Sequence, residues 1–341
     1  TAKTGQFGTR LMGGRDSASP RYITAALSPI TRAIFHPDDD AILEYDVTTS
    51  RSRSSSSNSG NHCLLAHPRF YLPIIPMVLV NGSSSIGTYF STNIPSFSPL
   101  DIIANLRRLI AGGILAPLSK MLPWFRGFQG SITATDTRGK FACEGNLQVG
   151  RDDDDVEADG DAHDDVIVVR ITELPLGTST APYQKTLRDL QEKGTIVELF
   201  EQCSDTHVDF EIWLKREAFD EWTAASVEEG QEEDATTMLK RKLGLQIIIH
   251  ATNLTLFSSS SSSSSNGGEQ GKLCAYPDAE TILKEFYATR IRYYQKRKDH
   301  LIKTAEKDVA ILENKIRFIR EVIVDGTILL IPGATMLSSP A

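Results

Sequence analysis

Tyrosine, arginine and glycine crowd one stretch near the start of the chain, GQFGTRLMGGRDSASPRY, from Gly5 to Tyr22. It carries four glycines and the three arginines Arg10, Arg15 and Arg21. Ser19 suits an N-cap and Pro20 a first helical position. Ile23, Ala26, Leu27, Ile30, Ala33 and Ile34 follow at helical spacing, so a helix is expected from Pro20 onward. Arg21 and Tyr22 would then lie in its first turn, where free N–H groups and the helix dipole favour a phosphate. A tyrosine beside an arginine at such a place has the parts of a phosphoryl-transfer nucleophile; simple packing of the ring is the alternative.

The elements that would position this pair are read from pattern. FHPDDD (Phe35 to Asp40) should stop the helix, its carboxylates solvated, with no metal site assigned to them or to the acidic segment around His163. Thr48 to Asn61 is a low-complexity Ser/Arg segment, expected as a disordered insertion. Tyr71 to Val80 reads as a strand ending in an Asn81–Gly82 turn, and Asp101 to Ile110 as an amphipathic helix carrying Arg107 and Arg108. Residues 123 to 225 alternate short apolar runs with turns, an α+β pattern, and LQIIIHATNLTLF gives two further strands before a polyserine run, Ser258 to Ser265. From Asp278 the period changes. Ile302, Ala305, Val309, Leu312, Ile316, Ile319 and Ile323 form a heptad seam, the mark of a coiled coil.

At 341 residues the chain has room for two or three domains. The net charge of −8 argues against nucleic acid only as a sum, because the acidity sits in RDDDDVEADGDAHDD and VEEGQEEDA while the opening loop is basic. Cys63, Cys143, Cys203 and Cys274 are far apart and form no zinc or disulfide pattern, which fits a reducing compartment. No apolar run reaches the roughly 18 residues of a membrane span, and no secretory signal is expected.

The Gly5–Tyr22 stretch resembles the active-site segment of the eukaryotic type IIA DNA topoisomerases, the ATP-hydrolysing topoisomerase II family. The resemblance continues in order through YLPIIPMVLVNGSSSIGT, NIPSFSPLDIIANLRRLI, PWFRGFQGSI, ITELPLGTSTAPYQK, AETILKEFYATRIRYYQKRKDHL and NKIRFIREV. It implies that Tyr22 becomes linked to a DNA 5′-phosphate, that Arg21 stabilises the transition state, and that Ile86 is an apolar wedge that bends DNA. Tucking of Ile86 onto the core is the alternative. Arg10, Arg15, Asn314 and Arg317 are the implied DNA contacts, with Phe318 and Ile319 packing. The family pattern Gly-Ile-Gly-Thr-Gly-Trp stands here as Ser85-Ile86-Gly87-Thr88-Tyr89-Phe90, so strain is expected wherever a replaced glycine needs positive φ.

The resemblance implies an α+β multidomain chain. Residues 1–45 would be the C-terminal part of a winged-helix cleavage domain, 46–70 a serine-rich insertion, and 71–277 a tower-like α/β domain. Residues 278–326 would be a coiled-coil helix toward an exit gate, and 327–341 an atypical tail. Its implied partners are double-stranded DNA and a second copy in a homodimer, with no membrane, in the nucleus. Mg2+ and ATP would belong to the complete enzyme, both bound by domains outside this chain, with no metal ligand here. Because the chain starts at Thr1 and its tail departs from the family, it reads as a fragment or incomplete gene model, catalytically incomplete alone. A non-catalytic DNA-binding remnant and a coiled-coil scaffold are the competing readings.

Overall fold

Alternating burial along the strands shows how the largest sheet forms. In Phe210–Lys215, Phe210, Ile212 and Leu214 are buried while their neighbours are more open, the two-residue period of a sheet with one face on a core. The computed structural model describes residues 3–49, 64–68, 70–150, 166–224, 235–257 and 273–324. It divides into two compact units, Thr1–Ile34 with Ile75–Tyr287, and Phe35–Ile74 with Ala288–Ala341.

In the first unit a four-stranded antiparallel sheet runs in the order Ile196–Glu201, Phe210–Lys215, Val166–Glu173, Asn146–Val149. Helices Thr180–Glu192 and Ala235–Lys242 bring Tyr183, Leu187 and Leu239 onto Val169, Ile171, Phe210 and Ile212. Tyr183 packs edge-on to Phe210, and its hydroxyl donates to the Leu243 carbonyl at 3.0 Å. Burial raises the Tyr183 phenol well above its ordinary range. A second core gathers Leu79, Phe97, Ile102, Leu109, Leu254 and Leu283. Beside it lie a three-stranded sheet, Gln246–His250, Lys140–Glu144 and Ser131–Ala134, and the hairpin Ser83–Gly87/Phe90–Ile94.

Arg170 on the large sheet grips Asp209 with two bonds, Nε to Oδ1 at 3.0 Å and Nη2 to Oδ2 at 2.9 Å. Those Arg170 hydrogen bonds, against the opposing cost of burial, hold the Asp209 carboxyl below its usual value. A carboxyl depressed on folding stabilises the native state above its unfolded pKa of about 3.9 and loses that contribution as pH falls through the lower folded value. Arg170 is 43% exposed, so the contribution is about 1 kcal/mol. The Asp209→Asn variant should melt below the parent at pH 7, with the gap closing in acid below pH 4; melting curves across pH 2–7 check it.

The second unit carries the 3-10 helix Pro37–Ile42, the paired strands Tyr45–Thr49 and Leu64–Pro68, and the later part of the long helix Ala279–Ile319. Asp39 was expected in solvent with its neighbours. It is buried instead, with Arg290 Nη1 2.8 Å from one carboxylate oxygen and Arg297 Nη1 3.4 Å from the other. Two guanidiniums compensate the cost of taking that charge out of water. Arg290 also lies 4.1 Å from the Tyr294 ring centroid, a cation–π contact.

Several sequence expectations are corrected. The helix from Pro20 is a 3-10 turn, Pro20–Tyr22, and Ser19 makes no side-chain cap bond. The chain then runs extended, with Thr24–Ala25 paired to Lys3–Thr4, before a short helix at Thr31–Ile34. Pro29 pushes Ser28 away from helical dihedrals, and the strand partner captures β-branched Thr24. Leu27 and Ile30 are exposed, so their spacing marks no buried stripe. Tyr71–Val80 is likewise not a strand: a helix begins at Met77 after Pro76 and ends at Asn81. The expected turn does occur at Gly82, at φ +70, where a Cβ would sit 2.7 Å from the Ile94 carbonyl oxygen.

The amphipathic helix spans Pro99–Gly112, and the two strands of LQIIIHATNLTLF stand at Gln246–His250 and Leu254–Phe257. On the long helix the seam residues Ile302, Val309, Leu312, Ile316 and Ile319 are all about half exposed. The serine-rich run from residue 50, the segments 151–165 and 225–234, the polyserine run and the tail lie outside the described residues. Among the described residues, no helix is long and apolar enough to cross a membrane.

Candidate functional site

A closed, internally latched loop presents Tyr22. Its ends are brought together by pairing of Lys3 with Ala25 and Thr4 with Thr24. Gly5, at φ +108, makes the closure possible, since a Cβ there would meet Ile23 Cγ2 at 2.8 Å and the Tyr22 carbonyl at 3.0 Å. Inside the loop Asp16 is the latch. Its carboxylate accepts from Thr9 N at 2.9 Å, Thr9 Oγ1 at 2.8 Å and Gln6 Nε2 at 3.4 Å. The Thr9 backbone and hydroxyl bonds hold the Asp16 carboxyl below its usual range. Gly14 N donates to Thr9 O at 2.9 Å, and Ala18 N to Gln6 O at 2.9 Å.

Two glycines in the loop separate two costs. A Cβ on Gly14 meets nothing within 4 Å but would stand at φ +80. A Cβ on Gly8, at φ +93, would lie 2.6 Å from Gly14 Cα, backbone against backbone. Gly14→Ala should therefore cost about 1–2 kcal/mol from conformation alone. Gly8→Ala should cost more, with faster proteolysis and amide exchange across residues 6–18; equal losses would refute the close approach.

The loop is also docked. Arg10 reaches the buried Glu173 carboxylate at the end of strand Val166–Glu173. Glu173 accepts further from Leu174 N at 3.0 Å and Gln129 N at 3.2 Å. Main-chain bonds add Ala181 N to Leu11 O at 2.9 Å and Arg10 N to Asp205 O at 3.3 Å. A basic loop thus gains a fixed seat on the sheet. The Arg10–Glu173 pair spans 163 residues, and no local sequence signal marks it.

On this platform the 3-10 turn holds Tyr22 out, 71% exposed, with Tyr22 N donating to Ser19 O at 2.9 Å. The Arg21 guanidinium carbon lies 5.7 Å from the Tyr22 ring centroid. Arg15 and Arg21 are exposed, whereas Arg10 is engaged with Glu173. Asn314 and Arg317 bond to one another across one helical turn, Nη2 to Oδ1 at 2.9 Å. Phe318 and Ile319, expected to pack, are about half exposed.

Ile86 stands on a strand rather than a loop, and it is 91% exposed. Its hairpin is anchored from the opposite face: Phe90 meets Phe257 edge-on at 5.6 Å, and Asn93 N donates to Asn253 O at 2.8 Å. Gly87 leaves room for the Phe90 ring, which a Cβ would approach to 2.5 Å. Among the described residues, no group of three or more His, Cys, Asp or Glu is placed to hold a metal ion.

The family model for the DNA-cleaving A-type polypeptide of DNA gyrase/topoisomerase IV matches residues 1–328. The chain belongs to this topoisomerase family. Similar relatives include DNA topoisomerase 2 of Pisum sativum, 35% identical over 94% of this chain and 19% of the relative. The mitochondrial DNA topoisomerase 2 of Dictyostelium discoideum is 33% identical over 95% of this chain and 21% of the relative. The chain thus spans about a fifth of the length of these relatives. A crystal structure of the DNA-binding, cleavage and re-ligation domain of Plasmodium falciparum topoisomerase II is similar at a TM-score of 0.71 and 29% identity, covering 98% of this chain and 38% of that one. The mixed α/β architecture described above is therefore that of a topoisomerase II cleavage domain.

Proposed function

We propose that this chain is the tyrosine-bearing part of a type IIA, ATP-hydrolysing DNA topoisomerase, cutting and rejoining double-stranded DNA with Tyr22 as the nucleophile. One observation carries the reading: in a topoisomerase chain, a docked loop holds an open tyrosine beside an arginine. The phenolic oxygen attacks a backbone phosphorus as its proton leaves, and the 3′-oxygen departs as a hydroxyl. The phosphotyrosine keeps the bond energy until the 3′-hydroxyl attacks in reverse. Arg21 supplies positive charge to the developing phosphorane oxygens. Ile86 opens a base step and bends the duplex, and Arg15 and Arg317, with Asn314, contact the flanking backbone. Arg10 is first a structural counter-ion, so a phosphate role for it would compete with Glu173.

Mg2+ in the complete enzyme would add charge at the same oxygens. The described carboxylates do not form a site for it, so the ion belongs with residues outside these 341, as does ATP. The division into winged-helix (1–45), tower-like (71–277) and coiled-coil (278–326) parts, homodimer formation and a nuclear location belong to the same reading, although the Dictyostelium relative is named mitochondrial. Mixing this chain with a metal-bearing fragment of a relative and a duplex should give a detergent-stable protein–DNA adduct, while the chain alone leaves supercoiled plasmid unrelaxed. DNA binding without any adduct would favour the second reading, a non-catalytic DNA-binding remnant. The non-glycine turn beside Ile86 is what favours that alternative.

A further inference from the structure

Tyr89 is the one non-glycine residue with positive φ among the described residues, at +70. It is the second residue of the two-residue connection Thr88–Tyr89, because Gly87 and Phe90 form the last pair of the hairpin. Positive φ at the second central position alone is the dihedral pattern of a type II turn, whose preferred residue there is glycine. A bulky side chain is kept at a position that penalises it, and that outlier points to a function. The ring makes no use of the fold: Tyr89 is fully exposed, as is Ile86 at the same end of the hairpin. The Phe90–Phe257 contact and the Asn93–Asn253 bridge hold the hairpin from behind, so both side chains are presented on a rigid support.

We propose that Tyr89 is a second DNA-contacting residue of the hairpin, its ring packing on the base step next to the one that Ile86 opens. This rests on the DNA reading above. An aromatic ring has a face for any base pair, so it stabilises an unstacked step without reading its sequence. An aliphatic wedge with a stacking ring beside it holds a kink that the wedge alone leaves open to water.

The test uses the full chain and a duplex of about three helical turns carrying a fluorophore at each end, with energy transfer reporting the bend and anisotropy the affinity. Tyr89→Gly removes the strained φ, so its melting temperature should rise by about 2–4 °C. The same variant should bend DNA less and bind it about tenfold more weakly. Tyr89→Phe keeps the ring and should retain both. Opposite movement of stability and bending is what a merely structural residue would not produce. If Ile86→Ala loses the bend while Tyr89→Gly bends and binds as the parent does, Tyr89 is a tolerated surface ring and the proposal is overturned, with the DNA reading intact. If the parent neither binds nor bends the duplex, the DNA reading fails and takes the proposal with it.

Discussion

Tyr22→Phe should abolish the covalent adduct while leaving duplex affinity within about twofold of the parent. The substitution removes one oxygen from a side chain that is mostly in solvent, so neither the fold nor the backbone contacts of the loop lose a partner. What is lost is the only atom of the residue able to attack phosphorus. Arg21→Ala should lower the rate of adduct formation by about 10²–10³, the usual cost of one charge-stabilising donor. Arg21→Lys should recover part of it. The check is a time course of detergent-stable adduct set against anisotropy on the same duplex. A Tyr22→Phe protein that still forms adduct would move the nucleophile elsewhere.

Arg10→Ala should destabilise the first compact unit by about 3–5 kcal/mol, the cost of leaving a buried carboxylate without its counter-ion. Glu173 is 3% exposed at its side chain, and Arg10 is the guanidinium that reaches it. Glu173→Ala should cost a comparable amount for a different reason. Arg10 can turn toward water, but Leu174 N and Gln129 N lose their acceptor. Because each change removes the same pair, the double variant should cost less than the sum of the two. Denaturant midpoints of the three variants measure the coupling. Were Arg10 mainly a phosphate contact, Arg10→Ala would leave stability alone and reduce the salt dependence of DNA binding by about one counter-ion.

Sustained periodicity was readable, and pairing across the chain was not. The long helix was legible because its apolar positions keep a 3–4 alternation from Ile302 to Ile323, which a strand or loop does not imitate. Strands Gln246–His250 and Leu254–Phe257 were legible from compact apolar runs between turn residues. The segment after Pro20 shows the opposite case. Apolar residues at helical spacing met Pro29 and a waiting strand, Lys3–Thr4, and the tertiary partner prevailed over local pattern. Tyr71–Val80 was too short for periodicity to tell helix from strand, although Pro76 before Met77 marks a helix start.

The candidate site divides in the same way. Tyr22, Arg21 and Ile86 were found by resemblance, and the fold leaves all three in the open. Asp16, Glu173 and the Asp39–Arg290 pair were missed, since each acts through a partner that only the fold brings near. Tyr89 was flagged only conditionally, as a glycine replacement whose cost depended on φ. At +70 that condition is met.

The central claim is that Tyr22 joins DNA through a 5′-phosphate. Its most direct measurement combines the chain, a metal-bearing fragment of a relative and a duplex labelled at one end of one strand, followed by digestion and mass spectrometry of the adduct. A nucleotide on the tryptic peptide containing Tyr22, with label retained by the protein only when it is at the strand's 3′ end, is the predicted result. Label retained from the 5′ end, or a nucleotide on any other residue, would contradict it.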